Sequence, residues 1–158
     1  MKIQKWEEQV QSAVPLLNLP PGNLPVNVLE LLEEYIGEAF QTRCSNLACR
    51  NRISNARLEV ELGHFTVLSV NRFIGGHSKL LNRLEIVRSD QMMNLGDLVS
   101  VVCHRGDINR GHFVSYHSIE NQWYLNNDSR QVIPTEDPLL TSVATETVEL
   151  MLFKTCIE

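Results

Sequence analysis

No stretch of this 158-residue chain comes near the ~20 consecutive apolar residues that a membrane-spanning helix needs, so no transmembrane helix is expected. The opening Met1-Lys2-Ile3-Gln4-Lys5-Trp6 has neither an apolar run nor a cleavage site, and no signal peptide is expected. Cysteine is sparse, with four spread along a chain that lacks a secretion signal. That pattern points to reduced thiols and an intracellular setting, cytoplasm or nucleus. Positive charge is in deficit, the formal net charge being −5. Nucleic acid is gripped through a basic surface, so it is not an expected partner, and the acidic balance suits a basic protein instead. Metal ligands are poorly arranged. Cys44 and Cys49 enclose four residues rather than the usual two, and no second cysteine pair completes a tetrahedral set. Cys103 and Cys156 sit in apolar, strand-like runs, where a free cysteine is ordinarily a small core residue. No metal or other cofactor is therefore expected. There is no internal repeat; Gly-His-Phe occurs at 63–65 and 111–113 in unrelated surroundings.

What is present is enough for one folded domain, residues 1–158, since 43% of the residues are hydrophobic and 21% charged. Residues 1–14 hold a loose amphipathic pattern through Ile3, Trp6, Val10 and Ala13. Pro15 to Pro20 reads as a short extended segment, and Pro20-Pro21-Gly22 as a turn. Asn27 is placed to cap a helix, with Glu30 three residues on. Val28, Leu31, Leu32, Tyr35, Ile36, Ala39 and Phe40 then recur at helical spacing, with Glu30, Glu33, Glu34 and Glu38 on the wet face. Arg57–Leu62 alternates as a half-exposed strand does, and Phe65–Val70 is the near-continuous run of a buried one. At its end Arg72 reads as a strand-end cation and Phe73 as a core anchor. Gly75-Gly76 reads as a turn. Leu84, Ile86 and Val87 allow a short strand, Leu98–Cys103 an apolar one, Gln131–Pro134 one stopped by proline, and Val148–Phe153 the last. The expected fold is α+β, a mostly antiparallel sheet of about six strands with one main helix.

The richest stretch is Gly111-His112-Phe113-Val114-Ser115-Tyr116, answered by Trp123-Tyr124-Leu125-Asn126-Asn127-Asp128-Ser129. Both runs favour strands, and Glu120-Asn121 between them reads as a hairpin turn. If residues 119 and 122 pair, His112 lies opposite Ser129. Asn127 is then its diagonal neighbour on the same face, and Asp128 points to the other. An imidazole beside an amide is the base-and-orienter half of a nucleophilic site. Tyr116 and Trp123 are expected to pack beneath it.

Residues 98–129 resemble the histidine box of ubiquitin-specific proteases, the papain-like deubiquitinases. That box runs from a hydrophobic strand through H-x-G and G-H-Y/F-x-x-Y to W-Y-x-x-N/D-D. The matching residues are Val99–Cys103, His104-Arg105-Gly106, Gly111 to Tyr116 and Trp123 to Asp128. The resemblance covers roughly residues 15–158. Arg72-Phe73 matches the end of a family signature from which Asn71 departs, and Lys79 sits where similar proteases carry a lysine. In the closing strand Leu152 and Phe153 hold, while Glu149, Leu150 and Lys154 depart. Cys44 and Cys49 are similar to a degenerate half of the family's zinc ribbon.

The resemblance implies thiol-dependent hydrolysis of the ubiquitin C-terminal (iso)peptide bond. His112 would be the general base, Asn127 its orienter and Asp128 a helper. His104, Gly106, Gly111, Phe113, Tyr116 and Trp123 would form the substrate side of the site, and Asp107 and Arg110 would lie on a loop over the substrate tail. The implied partner is ubiquitin or a ubiquitinated protein. The family's glycine-asparagine-threonine-cysteine motif is absent, so this chain by itself is expected to be inactive. Three readings stay open: a fragment of such a protease, a shortened relative that binds ubiquitin or another protein without cleaving it, or half an enzyme completed by a second chain that supplies the missing thumb.

Overall fold

The computed structural model describes residues 14–37, 40–43, 53–56, 62–75, 78–90, 92–128, 131–140 and 146–155. In chain order the elements are β1 (Leu16–Asn18), β2 (Val26–Asn27), α1 (Val28–Gly37), β3 (Phe40–Arg43) and β4 (Ile53–Ala56). Then come β5 (Phe65–Asn71), β6 (Phe73–Ile74), β7 (Ser78–Lys79) and β8 (Leu84–Glu85). The last five are β9 (Asp97–Gly106), β10 (Gly111–Ile119), β11 (Gln122–Asn126), β12 (Ile133–Thr135) and β13 (Glu146–Lys154). A seven-stranded sheet in the order β1-β5-β13-β9-β10-β11-β12 forms the frame. All its pairs are antiparallel except β1 with β5. The remaining strands form three two-stranded ribbons, β2-β8, β3-β4 and β6-β7. This is the expected α+β architecture.

Alternation along the strands makes the core. Leu17, Leu68, Val70, Met151, Phe153, Val101, Cys103, Val114 and Tyr116 are buried and form one cluster with Val28, Leu29, Leu31 and Leu32 of α1. Each such aliphatic side chain stabilises the fold by about 1.5–3 kcal/mol. The intervening row, Leu16, Ser69, Leu150, Val102, Ser115 and Asn126, crosses the same sheet without any fully buried member.

Asn27 caps α1: its Oδ1 accepts from the Leu29 N–H at 3.2 Å. The same side chain holds the Val87 backbone, donating to its carbonyl at 3.0 Å and accepting from its N–H at 3.2 Å. The helix is shorter than its apolar stripe. It ends at Gly37, a poor helix former, and Phe40 instead pairs with Ala56 in a ribbon. Proline does not stop β12. Pro134 lies inside it, opposite Tyr124, which is permitted because β12 is the outermost strand and a missing donor can face water. Arg72 and Phe73 exchange their expected parts. Arg72 is 1% exposed, while Phe73 is only half-buried. The guanidinium is tolerated because it donates to the carbonyls of Val148 (2.8 Å), Leu80 (3.2 Å) and Asn82 (2.7 Å). Burial still lowers its pKa to about 10, with Glu149 opposing. The expected helix over residues 1–14, nearly all of the strand Arg57–Leu62, and Cys44, Cys49 and Cys156 lie outside the described residues. Among the described residues no helix is long and apolar enough to cross a membrane.

Candidate active site

The β10–β11 hairpin forms in the register that brings its ends together, with Ile119 opposite Gln122 and Ser115 opposite Asn126. Its two turn residues adopt positive φ, 51° at Glu120 and 64° at Asn121, the two-residue turn whose twist matches flanking strands. At the open end, His112 Nε2 lies 2.6 Å from Asn127 Oδ1. An amide oxygen only accepts, so Nε2 carries the ring proton and Nδ1 holds a lone pair. Among the described residues nothing bonds Nδ1, and the ring is 44% exposed. That nitrogen is free to take a proton.

Asp128 departs from the expectation of face parity. The strand stops at Asn126, and Asp128 turns through a φ of 54°. Its Oδ2 comes within 3.5 Å of the same His112 Nε2. Parity applies only while the strand continues. Beyond it, the turn places a carboxylate where it can meet the positive charge that forms once Nδ1 is protonated. Ser129 lies outside the described residues.

The two glycines have distinct reasons. Gly106 has φ of 111°, and a Cβ there would meet the Arg110 carbonyl at 2.3 Å. At Gly111 a Cβ would lie 1.7 Å from His104 Nε2, so glycine lets the strand descend onto the imidazole. His104 itself is 7% exposed. It sits between Phe113, 4.8 Å between ring centroids, and Phe73 at 6.4 Å. Lys79 Nζ donates to His104 Nδ1 at 2.8 Å and to the carbonyls of His104 (3.0 Å) and Gly106 (2.9 Å). Burial lowers the Lys79 pKa below the ordinary lysine range, with Glu149 opposing. A β-bulge between Val148 and Leu150 turns Glu149 towards this cluster, 3.5 Å from His104 Nδ1.

Opposite His112 on β9 is Arg105, and opposite Arg105 on β13 is Glu146. Arg105 Nε donates to Glu146 Oε2 at 2.7 Å, and the Tyr116 hydroxyl donates to Glu146 Oε1 at 2.6 Å. Burial, then the bond to Glu146, push the Tyr116 hydroxyl up to about 12. Asp107 builds the loop above, its Oδ1 accepting from the N–H groups of Asn109 (2.8 Å) and Arg110 (2.9 Å). Those bonds, Arg110's first, hold its carboxyl below the usual range.

His112, Asn127 and Asp128 therefore meet at one point, bordered by Gly106, Gly111 and the exposed Phe113. His104 and Tyr116 lie beneath it and have almost no open surface. Trp123 is opposite Ser118, about six residues or ~20 Å along the strand from His112, and packs against the core. Glu146 carried no sequence signal, and Glu149 was marked only as a departure from the closing strand of similar proteases. Cys103, the only cysteine among the described residues, is buried in the core with its thiol pushed up to about 12, chiefly by burial. No group of metal-ligating side chains occurs among the described residues.

A 47-residue segment is 43% identical to "Probable ubiquitin carboxyl-terminal hydrolase 8" of Schizosaccharomyces pombe, covering 30% of this chain and 10% of that protein. The fold is similar to that of the SAGA Ubp8/Sgf11/Sus1/Sgf73 DUB module bound to ubiquitin aldehyde, with a TM-score of 0.55 and 17% identity over 89% of this chain and 35% of that one. It is also similar to that of the yeast SAGA DUB module with a variant Sgf73, with a TM-score of 0.56 and 18% identity over 89% of this chain and 33% of that one. The chain thus spans about a third of the matched structures' length. Residues 9–153 match the family model described as ubiquitin carboxyl-terminal hydrolase, and the chain belongs to that family.

Proposed function

We propose that this chain carries the base-and-orienter half of a thiol-dependent deubiquitinase site, acting on the C-terminal (iso)peptide bond of ubiquitin. The observation that carries the reading is the 2.6 Å contact between His112 Nε2 and Asn127 Oδ1, which leaves Nδ1 as an open base. In the proposed reaction Nδ1 takes the proton of a cysteine thiol and the thiolate attacks the scissile carbonyl. The C–N bond breaks as the imidazolium protonates the leaving amine. Water deprotonated by Nδ1 then hydrolyses the thioester to free the carboxylate and the thiol. Asn127 keeps the ring in one tautomer, and Asp128 opposes the charge that forms. The aldehyde-bound relative supports ubiquitin as the partner, and its module of several chains supports assembly with other subunits. Cys103 is enclosed by the sheet and does not fit the nucleophile's part. The thiol is assigned to residues beyond the described ones or to a second chain carrying the thumb.

That burial also favours a second reading, a relative that holds ubiquitin without cutting it. A ubiquitin probe with a C-terminal electrophile separates the two, applied to the chain and to each Cys→Ser variant. An adduct lost with one variant identifies the nucleophile. No adduct, with ubiquitin binding weakened by His112→Ala, supports a recognition site. Neither adduct nor binding overturns both.

A further inference from the structure

We propose that Lys79 is a positioning residue that holds His112 in register with Asn127, acting through the His104 ring and Gly111. The inference rests on His112 being the base.

The hydrogen bonds of Lys79 go to the residues beneath His112. Its ammonium has three protons, and each has an acceptor at the end of β9: His104 Nδ1, the His104 carbonyl and the Gly106 carbonyl. The same cation therefore fixes the rotation of the ring and the course of the strand that ends there. An ammonium cannot accept, so the ring accepts at Nδ1 and its proton is on Nε2, against Gly111. The first residue of β10 rests on that face of the ring with no room for even a methyl group. His112 follows directly, whereas Asn127 arrives from β11. The last β10–β11 pair is Ser115 with Asn126, so the 2.6 Å contact joins two strand ends beyond that ladder, and Lys79 sets the level of one.

Removing the ammonium leaves two carbonyls without this donor and frees the ring. Glu149 is ready to take over, since its Oε1 is buried, has no hydrogen-bond partner among the described residues and lies 3.5 Å from His104 Nδ1. A ring that turns to donate to Glu149 no longer presents the same surface to Gly111. Among the described residues the Lys79 backbone pairs in the short β6–β7 ribbon, opposite Phe73, and its side-chain bonds tie it to β9.

The test is heteronuclear NMR of the histidine rings in the whole chain. In the unaltered protein His112 shows one tautomer, with the proton on Nε2, and the Lys79 ammonium protons exchange slowly. Lys79→Met gives a mixture of His112 tautomers and about ten-fold faster amide exchange at Gly111–Phe113, with the Glu120–Asn121 turn unchanged. Lys79→Arg, which keeps the charge and several donors, restores most of the single tautomer. If Lys79→Met does not fold, Lys79→Gln is read the same way. A Met or Gln variant with native His112 tautomer and exchange overturns the proposal, as does a Lys79 ammonium that exchanges as fast as other lysines in the unaltered chain. No ubiquitin is used, so this failure is distinct from failure of the deubiquitinase reading.

Discussion

The two ends of the β10–β11 hairpin are built by different means. At the closed end, Glu120 and Asn121 turn the chain with their own backbone angles, 51° and 64° in φ, and fix the pairing of Ile119 with Gln122. At the open end, the approach of His112 to Asn127 depends on residues far away in sequence: Lys79 on β7, His104 and Gly106 on β9, and Glu149 on β13. Local chemistry sets the register, and tertiary packing sets the distance from His112 to Asn127. The two ends should therefore respond differently to substitution.

The largest effect is expected at Gly111. A methyl group there would overlap His104 Nε2, at 1.7 Å, and that ring is held by Lys79, Phe113 and Phe73. Gly111→Ala must displace either the ring or the strand. The expected destabilisation is about 3 kcal/mol or more, the upper end for forcing volume into a packed site, read from the urea midpoint. Ubiquitin binding should fall more than stability does, because His112 is the next residue. Native stability together with native binding would show that the ring yields easily and that the open end is not set by packing.

This contrast explains what could be read from the sequence. The hairpin was legible because strand propensity, turn residues and period-two alternation all act within a few residues. By themselves they put Asn127 on the same face as His112, as its diagonal neighbour. Alternation alone missed Asp128, which only the family resemblance named, since the strand stops at Asn126 and a turn redirects its carboxylate. Arg72 was misplaced for a related reason. A charged residue at a strand end looks exposed until three carbonyls from other segments surround it. Glu149 depends on a bulge, a one-residue irregularity that no composition pattern marks. The helix was visible from its cap and apolar stripe, but the stripe continued past Gly37, where pairing of Phe40 with Ala56 prevailed.

A smaller effect is expected at Tyr116, beneath the open end. Tyr116→Phe removes the donor 2.6 Å from Glu146 Oε1 and leaves that buried oxygen without it. The expected cost is about 1–3 kcal/mol near neutral pH. The pH dependence sharpens the assignment. Burial and then Glu146 raise the hydroxyl from 10.0 to about 12, so the folded chain holds this proton more tightly than the unfolded chain. The stabilisation is complete below pH 10.0 and is lost as pH rises to about 12. The variant should lose the Tyr116 part of that decline. A shallower one should remain from Cys103, whose thiol is raised from 9.0 to about 12. Urea midpoints across the alkaline range measure both, and identical slopes for the two proteins would remove Tyr116 from the account.

The smallest effect is expected at the closed end, and it is the sharpest test of separateness. Glu120 occupies the left-handed region at a φ of 51°, which costs a side-chain-bearing residue about 1–2 kcal/mol. Glu120→Gly relieves that strain. Glycine also adds unfolded-state entropy, which offsets about 0.4–1 kcal/mol of the gain. The net change should be a stabilisation of less than about 1 kcal/mol. Nothing in this turn touches His104, Lys79 or Asn127, so the His112 tautomer and ubiquitin binding should stay as they are. If relaxing the turn instead disturbs the His112 ring, the hairpin transmits strain along its length. The register would then be part of the His112–Asn127 geometry rather than only its scaffold.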